Sequence, residues 1–264
     1  MSSEQPICLI TGASAGIGAA LAREFARHGH ALVLTARREA ELDALADEIA
    51  AGGQARPHVF AADLATRDGV ERLAEGLRER GLEPVYVVNN AGFGLLGAAA
   101  RLKRDNQLAM IDLNMRALTD LTLRWLPSIR HHRGGILNVA SVAGFLPAPG
   151  MAVYHATKAY VVSLSEALHA ELKADGVHVC ALCPGPVPTG FNARAGIPAG
   201  YFPGLLGGTA ERVAREGYAG FMRGRRLVVP GAPNRALTLL PRLVPRPLVL
   251  AYMSWRWDRA RRRG

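Results

Sequence analysis

Cysteine is scarce in this chain: only Cys8, Cys180 and Cys183 occur among 264 residues. A small, odd number offers no framework of bridges like those that staple small secreted folds, and it fits a reducing compartment. Cys180 and Cys183 have a redox-like spacing, but on an extended strand their side chains would point to opposite faces, so both read as packed thiols. The eight His have no metal-ligand spacing with these thiols, and no metal is expected. No secretory leader is read, and no apolar run reaches the roughly 20 residues that cross a bilayer. Internal repeats and low-complexity linkers are missing as well. These absences set aside the disulfide-rich, zinc-ribbon, membrane-spanning and solenoid classes, and the expected location is cytoplasmic.

What remains is a length suited to one α/β domain with a sizeable core. Apolar runs suited to buried parallel strands recur at Pro6–Thr11, His30–Thr35, Val59–Ala61, Pro84–Val88, Gly135–Ala140 and Val177–Leu182, with helical patterns between them. This alternation predicts a doubly wound parallel sheet with helices on both faces, a three-layer Rossmann-type α/β/α fold. Ligands in such sheets bind beyond the carboxyl ends of the strands.

The first run feeds Thr11-Gly12-Ala13-Ser14-Ala15-Gly16-Ile17-Gly18, and a helical pattern then carries Ile17, Leu21 and Phe25 on one face. Strand, glycine-rich turn, helix is a cradle for a pyrophosphate: glycines admit the backbone and the helix N-terminus offers free N–H groups. The second strand run has no acid at its end, where a carboxylate would hold the ribose hydroxyl of NAD. Ala36-Arg37-Arg38 follows instead. A guanidinium binds a 2′-phosphate through paired hydrogen bonds, so NADP(H) is preferred over NAD(H), with Arg37 as the reader.

Tyr154 and Lys158 are four residues apart in Tyr154-His155-Ala156-Thr157-Lys158. On a helix that spacing puts them on one face. A phenol beside an ammonium can exchange protons near neutral pH, provided its ordinary pKa of roughly 10 is brought down at a cost of about 4 kcal/mol.

Together with Asp63-Leu64, Asn89-Asn90-Ala91-Gly92, Asn114, Ser141 and Pro184-Gly185, these motifs resemble the short-chain dehydrogenase/reductase family, in its order and spacing over roughly residues 5–230. The resemblance implies hydride transfer between a nicotinamide and a carbonyl or secondary alcohol. It implies Tyr154 as the acid, with Lys158 lowering its pKa and holding the nicotinamide ribose. Ser141 would orient the substrate oxygen, and Asn114 would support a water-linked proton path to Lys158. The cofactor set it implies is Gly12, Ser14, Ala15, Gly16, Ile17, Gly18, Arg37, Asp63, Leu64, Asn90, Ala91, Gly92, Tyr154, Lys158, Pro184, Gly185, Val187 and Thr189. Simpler readings stand beside these: Ser141 as a turn cap, Asp63 as a helix cap, and Asn89 and Asn90 as partners of buried backbone.

Charge is uneven. Residues 1–222 hold 21 Lys+Arg against 21 Asp+Glu, while residues 223–264 hold 11 Arg and one acid, Asp258, so the whole net charge of +10 lies in the tail. Residues 1–230 are expected to form the dinucleotide-binding catalytic domain, with a substrate loop near 188–208. Residues 231–264 form a basic, apolar C-terminal extension. Three readings fit the tail: a subunit interface in a homodimer or homotetramer; peripheral contact of 235–263 with an anionic membrane at the inner surface, as a basic amphipathic segment with two Trp, or the gathering of a lipid-like substrate; or a patch for an acidic partner. No aromatic-basic motif points to nucleic acid. Phe93–Leu96, Phe145–Pro147 and the 188–208 loop would line a pocket for an apolar ketone, aldehyde or alcohol, and the loop's glycines suggest a lid. The rival from another class is a non-catalytic NADP(H)-binding sensor or scaffold with the same fold; an isomerase or dehydratase using the same residues is a third reading.

Overall fold

The computed structural model describes residues 5–198 and 200–261. Ala199 of the expected substrate loop, and Arg262 and Arg263 at the end of the basic run, lie outside the described residues. The strands are β1 (Gln5–Thr11), β2 (Leu32–Ala36), β3 (His58–Ala61), β4 (Leu82–Asn89), β5 (Gly135–Val139), β6 (His178–Leu182) and β7 (Leu227–Val228). They form one parallel sheet in the order β3-β2-β1-β4-β5-β6-β7. The expected doubly wound α/β architecture is therefore present.

The sheet separates two apolar layers, and strand alternation decides which residue faces which. Cys8, Ile10, Leu32, Leu34, Leu137 and Cys180 point toward α1 (Gly16–Arg27), α2 (Glu39–Ala51) and α8 (Ala210–Met222). Ile7, Leu9, Val33, Val87, Ile136 and Val179 point toward α3 (Arg67–Glu79), α5 (Leu118–His131) and α6 (Ala152–Leu172). Burial on both faces is why the strands read as continuous apolar runs. Cys183 packs with Val161 on the α6 side while Cys180 faces the other layer, and both are buried free thiols, as expected from their spacing.

Two helical features place the site. Between α4 (Arg104–Ile111) and α5 the chain makes a π-helical turn, Asp112–Ala117, that buries Asn114 to 1% exposure. An extra residue in a helical turn redirects the side chains there, and such turns recur at functional positions. The tail forms α9 (Ala232–Leu243) and α10 (Arg246–Arg261). Val244-Pro245 separates them, and Pro247 falls in the first turn of α10, where its missing N–H costs nothing. Apolar groups on α10 do not form one stripe, because Leu248 and Leu250 are exposed while Val249 between them is buried. Within the expected amphipathic segment, α10 therefore has apolar side chains turned both to the protein and to solvent. No helix of the described residues is long and apolar enough to cross a membrane.

Candidate active site

The strand order reverses between β1 and β4, and a cavity of about 1010 Å³ opens at the carboxyl ends of the strands there. Every residue of the expected catalytic and cofactor sets lines it, with Asn114 as the single exception.

The glycine turn is built by close approach. Gly12 and Gly16 have φ of +65° and +59°, and a Cβ on Gly18 would collide with the Gly12 carbonyl and the Asn90 amide. Thr11, at the end of β1, locks this turn to β4: its hydroxyl accepts from the backbone N–H groups of Asn90 and Ala91, both at 3.0 Å. The Asn90 side chain donates back to the carbonyls of Thr11 at 2.9 Å and Gly12 at 3.2 Å. Asn90 thus satisfies backbone, as its simpler reading held, while still lining the cavity. The first turn of α1 has Ala15 at its N-cap and no side-chain cap, so its N–H groups face the cavity without a side-chain partner. Opposite, Thr189 touches Gly16 at about 3.0 Å from an added Cβ and caps α7 (Gly190–Ala195) by accepting from Phe191 N–H. Asp63 accepts from Ala65 N–H at 3.1 Å, and the cap of α3 is Thr66, whose hydroxyl accepts from Gly69 N–H at 3.0 Å.

The chemical end is supported by α6 and the segment after β5. Tyr154 and Lys158 share one face of α6 and are 9% and 5% exposed. The Lys158 Nζ donates to the Val139 carbonyl at 2.7 Å and stands 5.9 Å from the centre of the Tyr154 ring. Ser141 is the cap of the short turn Val142–Phe145, its Oγ accepting from Ala143 N–H at 3.1 Å. The capping reading of Ser141 therefore holds, and its hydroxyl also donates to the Pro184 carbonyl at 3.4 Å. Asn114 stands behind this set. It accepts from Phe93 N–H at 3.1 Å and donates to the Phe93 carbonyl at 3.0 Å and to Thr157 Oγ1 at 3.1 Å. Across Gly92, an added Cβ would lie 2.9 Å from Asn114 Oδ1 and 3.6 Å from Lys158 Nζ.

Electrostatics correct one expectation. The phenol is not brought down toward neutrality: burial pushes Tyr154 up to about 12, and the Ser141 hydroxyl only partly opposes it. Burial also pulls Lys158 down to about 8, with the buried Cys183 thiol opposing. Both groups are taken out of water, which disfavours the charged form of each, and the nearest partner of the ammonium is a backbone carbonyl.

Of the two arginines after β2, only Arg37 was named as the reader of the phosphate. Both line the cavity, and Arg38 is the one tied to the glycine turn, its guanidinium donating to Ser14 Oγ at 3.0 Å and to Glu41 at 2.9 Å. The expected pocket is only partly borne out: Phe93, Leu95 and Leu146 line it with Phe191, Tyr201 and Phe202, while Phe145 turns away to pack beside Val161. Leu237 of α9 and Val249, Met253, Arg256 and Trp257 of α10 line the same cavity. No local signal could have shown this, since it depends on where α10 docks.

This arrangement agrees with known proteins. The model of the short chain dehydrogenase family matches residues 6–197. Sulfoacetaldehyde reductase 2 of Chromohalobacter salexigens is 38% identical over 192 residues, 70% of this chain and 74% of that one. Among solved structures, a short-chain dehydrogenase from Sphingobium yanoikuyae in complex with NADPH is 35% identical, with a TM-score of 0.77 over 85% of this chain and 87% of its own. The bulky-bulky ketone specific alcohol dehydrogenase from Comamonas testosteroni is 31% identical, with a TM-score of 0.75 over 91% and 93%. The family match over most of the chain, with a switch-point cavity that has a glycine turn at one end and a buried Tyr–Lys face at the other, shows that the chain belongs to the short-chain dehydrogenase/reductase family, oxidoreductases that transfer a hydride between a nicotinamide and a carbonyl or alcohol carbon.

Proposed function

We propose that this chain is an NADP(H)-preferring carbonyl reductase or alcohol dehydrogenase acting on apolar ketones, aldehydes or secondary alcohols. The observation that carries this reading is the meeting of Ser141, Tyr154 and Lys158 in one cavity with an uncapped helix N-terminus and two arginines.

The residues present fit the dinucleotide. Gly12, Gly16 and Gly18 leave no side chain between backbone and ligand, and the α1 N–H groups favour an anion. In this reading Ser14, Ala15 and Ile17 cradle the pyrophosphate with them. Arg37 and Arg38 read the 2′-phosphate beside Ser14, and Asp63 and Leu64 line the adenine. Asn90, Ala91 and Gly92 form the floor, Lys158 holds the ribose, and Pro184, Gly185, Val187 and Thr189 border the nicotinamide. The NADPH named with the Sphingobium relative supports the same preference. When bound, the cofactor supplies or accepts the hydride.

The protein's own part is a proton and a position. As a carbonyl is reduced, its oxygen gains negative charge; the Tyr154 hydroxyl gives its proton to that oxygen, leaving phenolate. Ser141 donates a hydrogen bond to the same oxygen and sets its angle. The charged form of Lys158 stabilises the phenolate, and Asn114 keeps the Phe93 segment and Thr157 in place behind it. A phenol held near 12 enters the reductive direction already protonated. Apolar substrate is supported by Phe93, Leu95, Phe191, Tyr201 and Phe202 around the reacting end, and the bulky ketones named with the Comamonas relative have the same character. Residues 1–230 serve as the catalytic unit, and 231–264 complete its substrate end.

A screen of NADPH oxidation against varied ketones and aldehydes tests the reading. Turnover is expected, and Tyr154→Phe should lower kcat by at least about a thousandfold while NADPH binding persists, in line with the loss of a general acid. Unchanged kcat would remove Tyr154 from the chemistry. Tight NADPH binding with no turnover of any carbonyl would favour the sensor or scaffold.

A further inference from the structure

Helix α10 does more than cover the cavity. Trp257 packs on Gly150, where φ is +82° and an added Cβ would run into the indole. Gly150 lies four residues before Tyr154, and its carbonyl accepts from Gly97 N–H at 2.8 Å. One residue earlier on α10, the Arg256 guanidinium donates to the Tyr201 carbonyl at 3.2 Å. Arg256 is only half-exposed and lines the cavity among Tyr201, Val249 and Met253. Arg194 of α7 lines the same end from an exposed position.

The charges of the cavity are arranged lengthwise. The one carboxylate among the described lining residues is Asp63, on the cofactor side. The substrate end holds two guanidiniums and no acid. Some arginines elsewhere are neutralised: Arg23, Arg56, Arg116, Arg124, Arg130 and Arg212 each have a carboxylate within 3.1 Å. Arg194 and Arg256 are among the described arginines that have none, and they are the two that line the substrate end of the cavity. Tyr201's carbonyl uses one of the five N–H groups of Arg256, and a cation drawn into an apolar wall without a counter-charge is costly unless something anionic completes it.

We propose that the pocket takes carbonyl compounds whose apolar body ends in an anionic group such as a carboxylate, and that Arg256 is the specificity residue that reads that group, with Arg194 at the mouth. This rests on the carbonyl-reductase reading for the fate of the ligand, but the recognition can be tested by binding alone. Calorimetric titration of the full-length protein, loaded with NADP, uses dodecanoate and methyl dodecanoate as probes. Wild type should bind the carboxylate about tenfold more tightly than the ester, the size of one good charge-assisted contact. Arg256→Gln should erase that gap by weakening dodecanoate about tenfold and the ester less than about twofold, and Arg256→Lys should restore part of it. Equal weakening of both probes by Arg256→Gln would make Arg256 a strut for the Tyr201 loop and overturn the proposal; so would a gap that survives the substitution, or no gap in wild type. A preserved gap in wild type without turnover of any carbonyl compound would leave anion recognition standing and remove the reductase reading instead. For active protein, the KM of a long-chain keto acid should rise about tenfold in Arg256→Gln, with the KM of its methyl ester and both kcat values close to wild type.

Discussion

The two ends of the cavity are made by different kinds of chain. The cofactor end comes from short segments at consecutive strand ends: the glycine turn after β1, Arg37 and Arg38 after β2, Asp63 after β3, Asn90 to Gly92 after β4. Its shape is set by backbone, through Thr11 and Asn90 holding the turn and through glycines that admit no side chain. The substrate end comes from the loop before α8 and from α9 and α10, segments far apart in sequence that meet only by docking. There side chains set the shape: Phe191 packs on Tyr154 with ring centres 5.5 Å apart, and Trp257 covers Gly150. The lesson is that cofactor recognition resides in a rigid frame, while substrate recognition is a surface laid over it that can change without disturbing the sheet.

Substitutions at the two ends should therefore behave differently. The largest effect sought is Gly18→Ala, since its methyl would meet the Gly12 carbonyl and the Asn90 amide. Overpacking there should cost about 1–3 kcal/mol of stability, and NADPH affinity by fluorescence titration should fall about a hundredfold, twice the tenfold step that 1.4 kcal/mol represents on a logarithmic scale. Gly190→Ala, at the start of α7 where an added Cβ meets nothing within 4 Å, should leave both nearly as they are. Matching losses at the two positions would break the contrast between frame and overlay.

An intermediate effect concerns pH. Lys158 is pulled down to about 8 by burial, so it is charged below that value and neutral above it. If the ammonium supports the phenolate, reductive kcat/KM should decline about tenfold per pH unit once pH is well above 8, and Lys158→Arg, which keeps its charge, should lack that limb in whatever activity it retains. Folding has the opposite sign. Between about 8 and the ordinary value of 10.5 the unfolded chain holds a proton that the native Lys158 has lost, so this residue's contribution to stability improves as pH rises through the window; below 8 the cost of burying the charge is fully present. A thermal melt series on wild type and Lys158→Met should show the variant's advantage at pH 7 shrinking toward pH 10. A constant difference would mean that Lys158 does not titrate in that range.

The smallest effect separates the two arginines. Arg38→Ala should weaken NADPH about tenfold and NADH less than about twofold, because Arg38 already bonds Ser14 in the glycine turn. Arg37→Ala should act in the same direction. Equal losses for NADPH and NADH in both variants would mean that neither reads the phosphate.

Much of the site was legible in the residues because its parts are local. A strand, a turn that needs left-handed backbone at Gly12 and Gly16, and a helix are neighbours in the chain, and Tyr154 and Lys158 meet through one helical turn. Asn114 shows the limit. Its residue type was visible, but the π-helical turn that buries it, and its grip on Phe93 and Thr157, come from packing between α5 and α6. Arg38 was passed over because the sequence does not say which of two adjacent guanidiniums turns toward Ser14. The upward push on the tyrosine was not legible either, because burial is a property of the assembled interior.

By itself the sequence determined the alternation that makes a parallel sheet, the glycine turn, the pairing of phenol and amine, and a tail that holds the entire net charge of +10. Only the tertiary structure decided where that tail goes: Trp257 onto Gly150, Arg256 onto the Tyr201 loop, and both onto the wall of the cavity. The physical reason is range. Backbone geometry and helical periodicity act over a few neighbouring residues, whereas the docking of α10 depends on apolar surfaces about a hundred residues apart in the chain, and no local pattern records which of them will meet.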